Sequence, residues 1–218
     1  MKKFSFLLFV LISLLYNTSG AQESVLQKKL DQKQLNSGDL IFQNLSCGPL
    51  CDAINAVTQG YADRKFSHMG MVYLKGDSIL IIEAAGKDVH LSPLNTFLSK
   101  SKDSHLVGRL KPSYTSLIPQ AIAFSLKHMG DPYDDQYLYN NGKYYCSELI
   151  YDAFKSANAD QPVFTMFPMT YKQPGSTAFF PVWQAYFDQI GIPVPEGQPG
   201  CNPGGISLSD KIEMLGVL

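Results

Sequence analysis

The sequence predicts an α+β domain, and three observations carry that prediction. Strand-like segments crowd the stretch from Ser37 to Leu110, a tight turn at Lys75-Gly76-Asp77-Ser78 joins two of them into a hairpin, and amphipathic helical segments accompany and follow them. Of 218 residues, 45% are hydrophobic and 17% charged, which suits one domain with an elaboration better than two independent ones. The formal net charge of −1 and the lack of a basic run exclude a general nucleic-acid binder.

The chain opens on Met1-Lys2-Lys3, an apolar run from Phe4 to Leu15, and the small residues Ser19-Gly20-Ala21. This is the pattern of a removed secretory signal, residues 1–21. The run is too short for a comfortable membrane span, and no later stretch approaches the length, so no integral membrane segment is expected in the mature chain. No cysteine follows the cut, so a lipid anchor there is not indicated. The mature protein is expected to be exported, to the periplasm or beyond the cell. Its core is expected over 22–158, with a C-terminal extension over 159–218 packed on it.

Residues 22–35 read as a polar leader with short-helix character. Ser37-Gly38-Asp39-Leu40-Ile41-Phe42 is a turn feeding a strand. Pro49 opens a helix over 49–58, closed by Gly60. Ser67 to Leu74 and Ile79 to Ala84 are the hairpin strands, and the second is apolar on both faces and therefore central. Further strands are expected near 88–91 and 106–110. Ile118, Ala121, Ile122, Leu126 and Met129 mark one face of a helix over 115–129, with Gly130 at its end. Another helix begins at Cys146, where Leu149, Ile150, Ala153 and Phe154 keep helical spacing. Prolines and glycines recur after Ala159, around an aromatic helix from Pro181 to Gln189. The extension is too apolar to be disordered and reads as a cap over the core, roofing the site.

Chemistry concentrates at Tyr144-Tyr145-Cys146-Ser147-Glu148. A thiol in the first turn of a helix meets unpaired backbone N–H groups and the positive end of the helix dipole, both of which favour thiolate. A cysteine hydrolase also needs a base and a group to orient it. His68, His90, His105 and His128 are available. With Gly76 and Asp77 as the turn, Lys75 pairs with Ser78, Val72 with Ile81 and Gly70 with Glu83, so Glu83 and His68 project to one face, about 7–8 Å apart along the diagonal. A turn one residue longer or shorter turns Glu83 away. Gly70, lacking a side chain, is expected to leave the carboxylate room to lean toward His68. Each residue also has a plainer account: a core cysteine, a satisfied edge histidine, an acid beside a turn.

If Cys146 stays free, the other cysteines allow at most one bridge, Cys47 to Cys51 or Cys201 to either of them. No second paired Cys or His motif accompanies them, so no metal and no cofactor are expected.

In order along the chain, Gly38-Asp39-Leu40-Ile41-Phe42, Phe66-Ser67-His68-Met69-Gly70-Met71-Val72, Ile82-Glu83-Ala84 and Tyr144-Tyr145-Cys146-Ser147-Glu148-Leu149-Ile150 resemble circularly permuted papain-like hydrolases of the YiiX type. These are relatives of the NlpC-type peptidases and the lecithin retinol acyltransferase group. The resemblance covers roughly 36–156 and implies an NlpC-like core, an antiparallel sheet or half-barrel packed against helices, with the thiol at a helix N-terminus facing the sheet. It implies Cys146 as nucleophile, His68 as base and Glu83 as third member. Gly130-Asp131-Pro132-Tyr133-Asp134 is similar to the family's loop ahead of the nucleophile, and Tyr133 and Tyr145 are assigned to the substrate pocket. The expected activity is hydrolysis of an amide in a peptide, amino-acid amide or peptidoglycan-derived substrate. The alternatives are a lipid thioesterase or acyltransferase on the same residues, or a secreted binding module without catalysis.

Overall fold

The computed structural model describes residues 20–218, so the expected signal, 1–21, lies almost wholly outside the described residues. Residues 20–27 are helical. The elements that follow are β1 (Leu40–Gln43), α1 (Pro49–Val57), β2 (His68–Lys75), β3 (Ser78–Ala85), β4 (Asp88–Pro93), α2 (Leu94–Leu98) and β5 (Leu106–Leu110). Beyond them lie α3 (Ile118–Lys127), α4 (Cys146–Ala157), β6 (Phe167–Pro168), α5 (Pro181–Ile190), β7 (Pro199–Gly200), α6 (Pro203–Ser207) and β8 (Ile212–Val217). The fold is α+β: a six-stranded antiparallel sheet in the order β4-β3-β2-β1-β5-β8, with helices packed against it and a small β6-β7 pair to one side.

Alternation along the strands divides the core. Leu40, Phe42, Met71, Ile82 and Leu106 pack with Ala121 of α3 and with Leu149 and Phe154 of α4. Ile41, Val72, Ile81 and Val107 pack instead with Leu35 and with Leu94 and Phe97 of α2. Side chains at successive strand positions point to opposite faces, so one apolar run supplies both clusters. Each fully buried Leu or Ile contributes roughly 1.5–3 kcal/mol.

The hairpin register is the expected one. Lys75 pairs with Ser78, Leu74 with Ile79, Val72 with Ile81 and Met71 with Ile82. Gly76 supplies the left-handed backbone of the turn at φ 56°. The helix expected over 115–129 is shorter as α-helix, because Pro112–Leu117 winds as 3₁₀ before α3 begins. The chain after 159 contributes more than a cover. Its last strand, β8, runs along β5 from Leu106↔Val217 to Leu110↔Ile212 and forms one edge of the main sheet.

Candidate active site

Three elements converge on Cys146. It is the first residue of α4, buried, and not part of a disulfide. The helix's N-cap, Tyr145, makes no side-chain capping bond, so the first-turn N–H groups are left without that partner. Cys47 and Cys51 are bridged to one another across the start of α1. Cys201 is free and buried, and burial raises its thiol pKa.

His68 opens β2, and Glu83 lies near the end of β3. Their diagonal placement across the hairpin brings His68 Nε2 within 2.6 Å of Glu83 Oε2. The Cys146 thiol is a second polar neighbour of the ring. Burial pulls the His68 pKa down. Hydrogen bonding to Cys146 and Glu83, with the charges of both, outweighs burial and lifts it to about 9. Glu83 has no solvent exposure. Burial favours its neutral form, yet His68, Lys100 and Ser92 together hold it down at about 2. Lys100 Nζ donates to Oε1 at 2.6 Å and Ser92 Oγ at 2.5 Å.

A Cβ at Gly70 would collide with Ile81 Cγ2 and crowd the Ile82 carbonyl and Phe97 Cε2, each at 3.1 Å. Phe97 in turn lies against the His68 ring, with centroids 5.6 Å apart. Gly70 therefore lets the hairpin and α2 close around the imidazole.

The other histidines are placed elsewhere. His90 stands directly opposite Glu83, with Nε2 at 3.6 Å from Oε1, but its Nδ1 is 3.0 Å from Asp88. His128 Nδ1 lies 2.6 Å from Asp131, and the ring packs on Phe124 and Tyr144. His105 is buried, and burial lowers its pKa.

A cavity of about 170 Å³ lies beside Cys146. Both tyrosines assigned to the pocket, Tyr133 and Tyr145, line it, together with Tyr137, Tyr171 and Trp183. Burial, then Tyr137 and Cys146, raises the Tyr133 pKa well above its ordinary value, so its hydroxyl keeps its proton. The Tyr145 hydroxyl accepts the Cys201 N–H at 3.2 Å, and Ser147 Oγ donates to the Cys201 carbonyl at 3.0 Å. These bonds tie the extension to the entrance of α4.

The loop before Cys146 is held by two buried acids. Asp134 accepts the N–H groups of Gln136 at 3.0 Å and Leu138 at 2.7 Å, and the Asn141 side chain at 3.0 Å. Glu148, in the first turn of α4, accepts the Asn140 N–H at 3.0 Å. Burial, reinforced by Asp134 and Asp152, pushes the Glu148 pKa up to about 8.

Ser92 and Lys100 are the site residues that sequence spacing left out. Ser92 pairs with Ile81, diagonal to Glu83, and extending the strand expected near 88–91 by two residues would have placed it there. Lys100 follows a short helix and carries no periodic signal.

A thiol at an open helix start, an imidazole on a strand before it in sequence and a carboxylate on the neighbouring strand define the permuted papain-like class. The chain belongs to the C92 peptidase family, described as permuted papain-like amidases of the YaeF/YiiX kind, whose model matches residues 34–215. It is similar to the YiiX protein of Escherichia coli K12, described as uncharacterized, at 28% identity over 126 residues. That match covers 57% of this chain and 59% of the relative, so the aligned part is less than two thirds of the relative's length. The crystal structure of yiiX from Escherichia coli O157:H7, described as a metalloprotein, shares the fold with a TM-score of 0.70 at 20% identity. It covers 85% of this chain and 98% of its own. Among the described residues here, no group of three or more His, Cys, Asp or Glu side chains is gathered to hold a metal ion. Nor is any described helix long and apolar enough to cross a membrane.

Proposed function

We propose that this protein is an exported cysteine hydrolase that cleaves an amide bond with Cys146 as nucleophile, His68 as base and Glu83 as the group that orients His68. The observation that carries this reading is the buried imidazole between a carboxylate at 2.6 Å and the Cys146 thiol. Sγ attacks the carbonyl carbon while the thiol proton passes to His68. The oxyanion develops toward the uncapped N–H of Cys146. His68 then gives its proton to the departing amine, leaving a thioester. Water, deprotonated by His68, attacks the thioester and releases the acid, and the proton returns to sulfur. Tyr133 and Tyr145 bound the space where the substrate lies.

The substrate class is a peptide, an amino-acid amide or a peptidoglycan-derived amide. Export is supported by the signal-like start and by the Cys47–Cys51 bridge, which fits an oxidising compartment. The apolar wall of the cavity, with Ile54, Val57 and Trp183, favours a second reading in which the same residues act on an acyl-lipid thioester or ester.

The test is hydrolysis of a panel of peptide amides and acyl esters by wild type and Cys146→Ala, with mass-spectrometric mapping of iodoacetamide labelling. The expected result is loss of turnover in the variant and labelling of Cys146 before Cys201. Undiminished turnover by Cys146→Ala would sink the proposal, and turnover confined to acyl esters would favour the lipid reading.

A further inference from the structure

A second, wider groove of about 770 Å³ lies next to the cavity beside Cys146. Val57, Thr58, Phe167, Thr170 and Asn202 line both spaces, so they share a wall. Their electrostatic character differs. No charged side chain lines the inner cavity. The outer groove is lined by two cations, Lys65 and Lys172, and by no carboxylate.

Lys65 is placed at the junction. Its Nζ donates to the main-chain carbonyl of Thr58 at 2.8 Å, and Thr58 belongs to both spaces. That bond uses one of three ammonium donors, and no carboxylate pairs with Lys65 among the described residues. Lys172 lies 3.4 Å from Glu196, a loose pair, because Glu196 also accepts the Tyr171 N–H at 2.9 Å and the Thr170 hydroxyl at 3.1 Å. Lys65, with no acid partner among the described residues, and Lys172, with only this loose one, line a concave surface and raise the local concentration of anions there. The neutral side chains of Gln59, Gln173 and Ser176 complete a polar lining.

We propose that the substrate carries a carboxylate outside the reacting amide, and that Lys65 and Lys172 hold it in this groove. The inference rests on the cysteine-hydrolase reading and adds the acidic character of the substrate to it. Apolar contact would then belong to the inner cavity and charge recognition to the outer groove.

The test uses bromoacetyl-peptide amides of increasing glycine length that end in Glu or in Gln. They alkylate Cys146 by forming an S–C bond with loss of bromide, and labelling is followed by intact mass and peptide mapping. At one length the Glu probe is expected to label wild type about fivefold faster than its Gln twin, and the advantage to shrink in about 1 M salt. The Lys65→Gln/Lys172→Gln variant, with its fold checked by circular dichroism, is expected to bring the Glu-to-Gln ratio to about one. Lys65→Glu alone is expected to invert the preference. Equal rates for the two probes at every length in wild type overturn the groove assignment while leaving the nucleophile intact. Labelling of Cys146 no faster than that of free cysteine by either probe overturns the hydrolase reading, and this inference falls with it.

Discussion

Glu83 accepts more donors than the orientation of one imidazole needs. His68 takes one of its oxygens, while Ser92 and Lys100 share the other. A carboxylate so surrounded stays ionised inside the protein, and an ionised Glu83 stabilises the imidazolium that His68 becomes when it takes the thiol proton. Its pKa falls from 4.5 in the unfolded chain to about 2 in the native one, so its contribution to stability is present above pH 4.5 and is lost as pH falls toward 2. His68 runs the other way, with its contribution present below pH 6.5 and lost as pH rises through about 9. Glu83→Gln is expected to flatten the acid limb of the urea midpoint plotted against pH and to lower amide turnover by roughly 10²-fold or more. A variant with the wild-type acid limb contradicts the ion pair. Gly70→Ala tests the packing around His68. The added methyl meets Ile81 and Phe97, at an expected cost of about 1–3 kcal/mol in urea unfolding, together with slower Cys146 labelling. Unchanged stability would show that Phe97 yields freely.

Among the elements, α4 and the loop before it decide the shape of the cavity wall. Tyr137 and Asn140 hold left-handed backbone at φ 54° and 62°, an unfavourable state for side-chain-bearing residues. Asp134 and Glu148 accept the N–H groups that fix this path. Glu148 faces Asp134 from the loop, Asp152 on its own helix, and Tyr144, Tyr145 and Cys201 nearby. Its pKa rises from 4.5 unfolded to about 8 native, so the native state binds the extra proton and loses stability as pH climbs through that window. Glu148→Gln keeps an acceptor for Asn140 and cannot ionise. It is expected to match wild type near pH 4 and exceed it above pH 8 by on the order of 1–3 kcal/mol. Trp183, the chain's single tryptophan, stands 5.6 Å from the Tyr137 ring and gives the readout. Its fluorescence is expected to change near pH 8 in wild type and not in the variant. A transition common to both proteins would assign the change to another group.

At the scale of the molecule, the core depends on its C-terminal quarter. β8 covers the edge of β5, and its end is pinned to the N-terminal segment by the Leu30 N–H to Val217 carbonyl bond at 2.8 Å. Trp183 and Tyr171 wall the cavity, and the Cys201 carbonyl holds Ser147. A chain ending at residue 158 therefore exposes a strand edge and an unroofed site. It is expected to aggregate in size-exclusion chromatography and to lack a cooperative urea transition. A monomer with the full-length midpoint would establish 22–158 as a self-sufficient core. The family model's extent to residue 215 agrees with the longer unit.

Much of this was legible from local chemistry. The two-residue turn at Gly76 fixed the hairpin register, and a register has period two, so Glu83 had to share a face with His68. Apolar spacing after Cys146 placed the thiol at a helix start. By itself, then, the sequence determined the strand and helix types around the site and the juxtaposition of His68 with Glu83, because both follow from short-range periodicity. Only the tertiary structure decided that Lys100 reaches Glu83, that Cys47 bonds Cys51, that Tyr171 and Trp183 meet Tyr137 across the cavity, and that β8 closes the sheet. Such contacts join residues from 17 to more than a hundred positions apart or choose among chemically equivalent partners. They are set by how the layers pack, which no local pattern encodes.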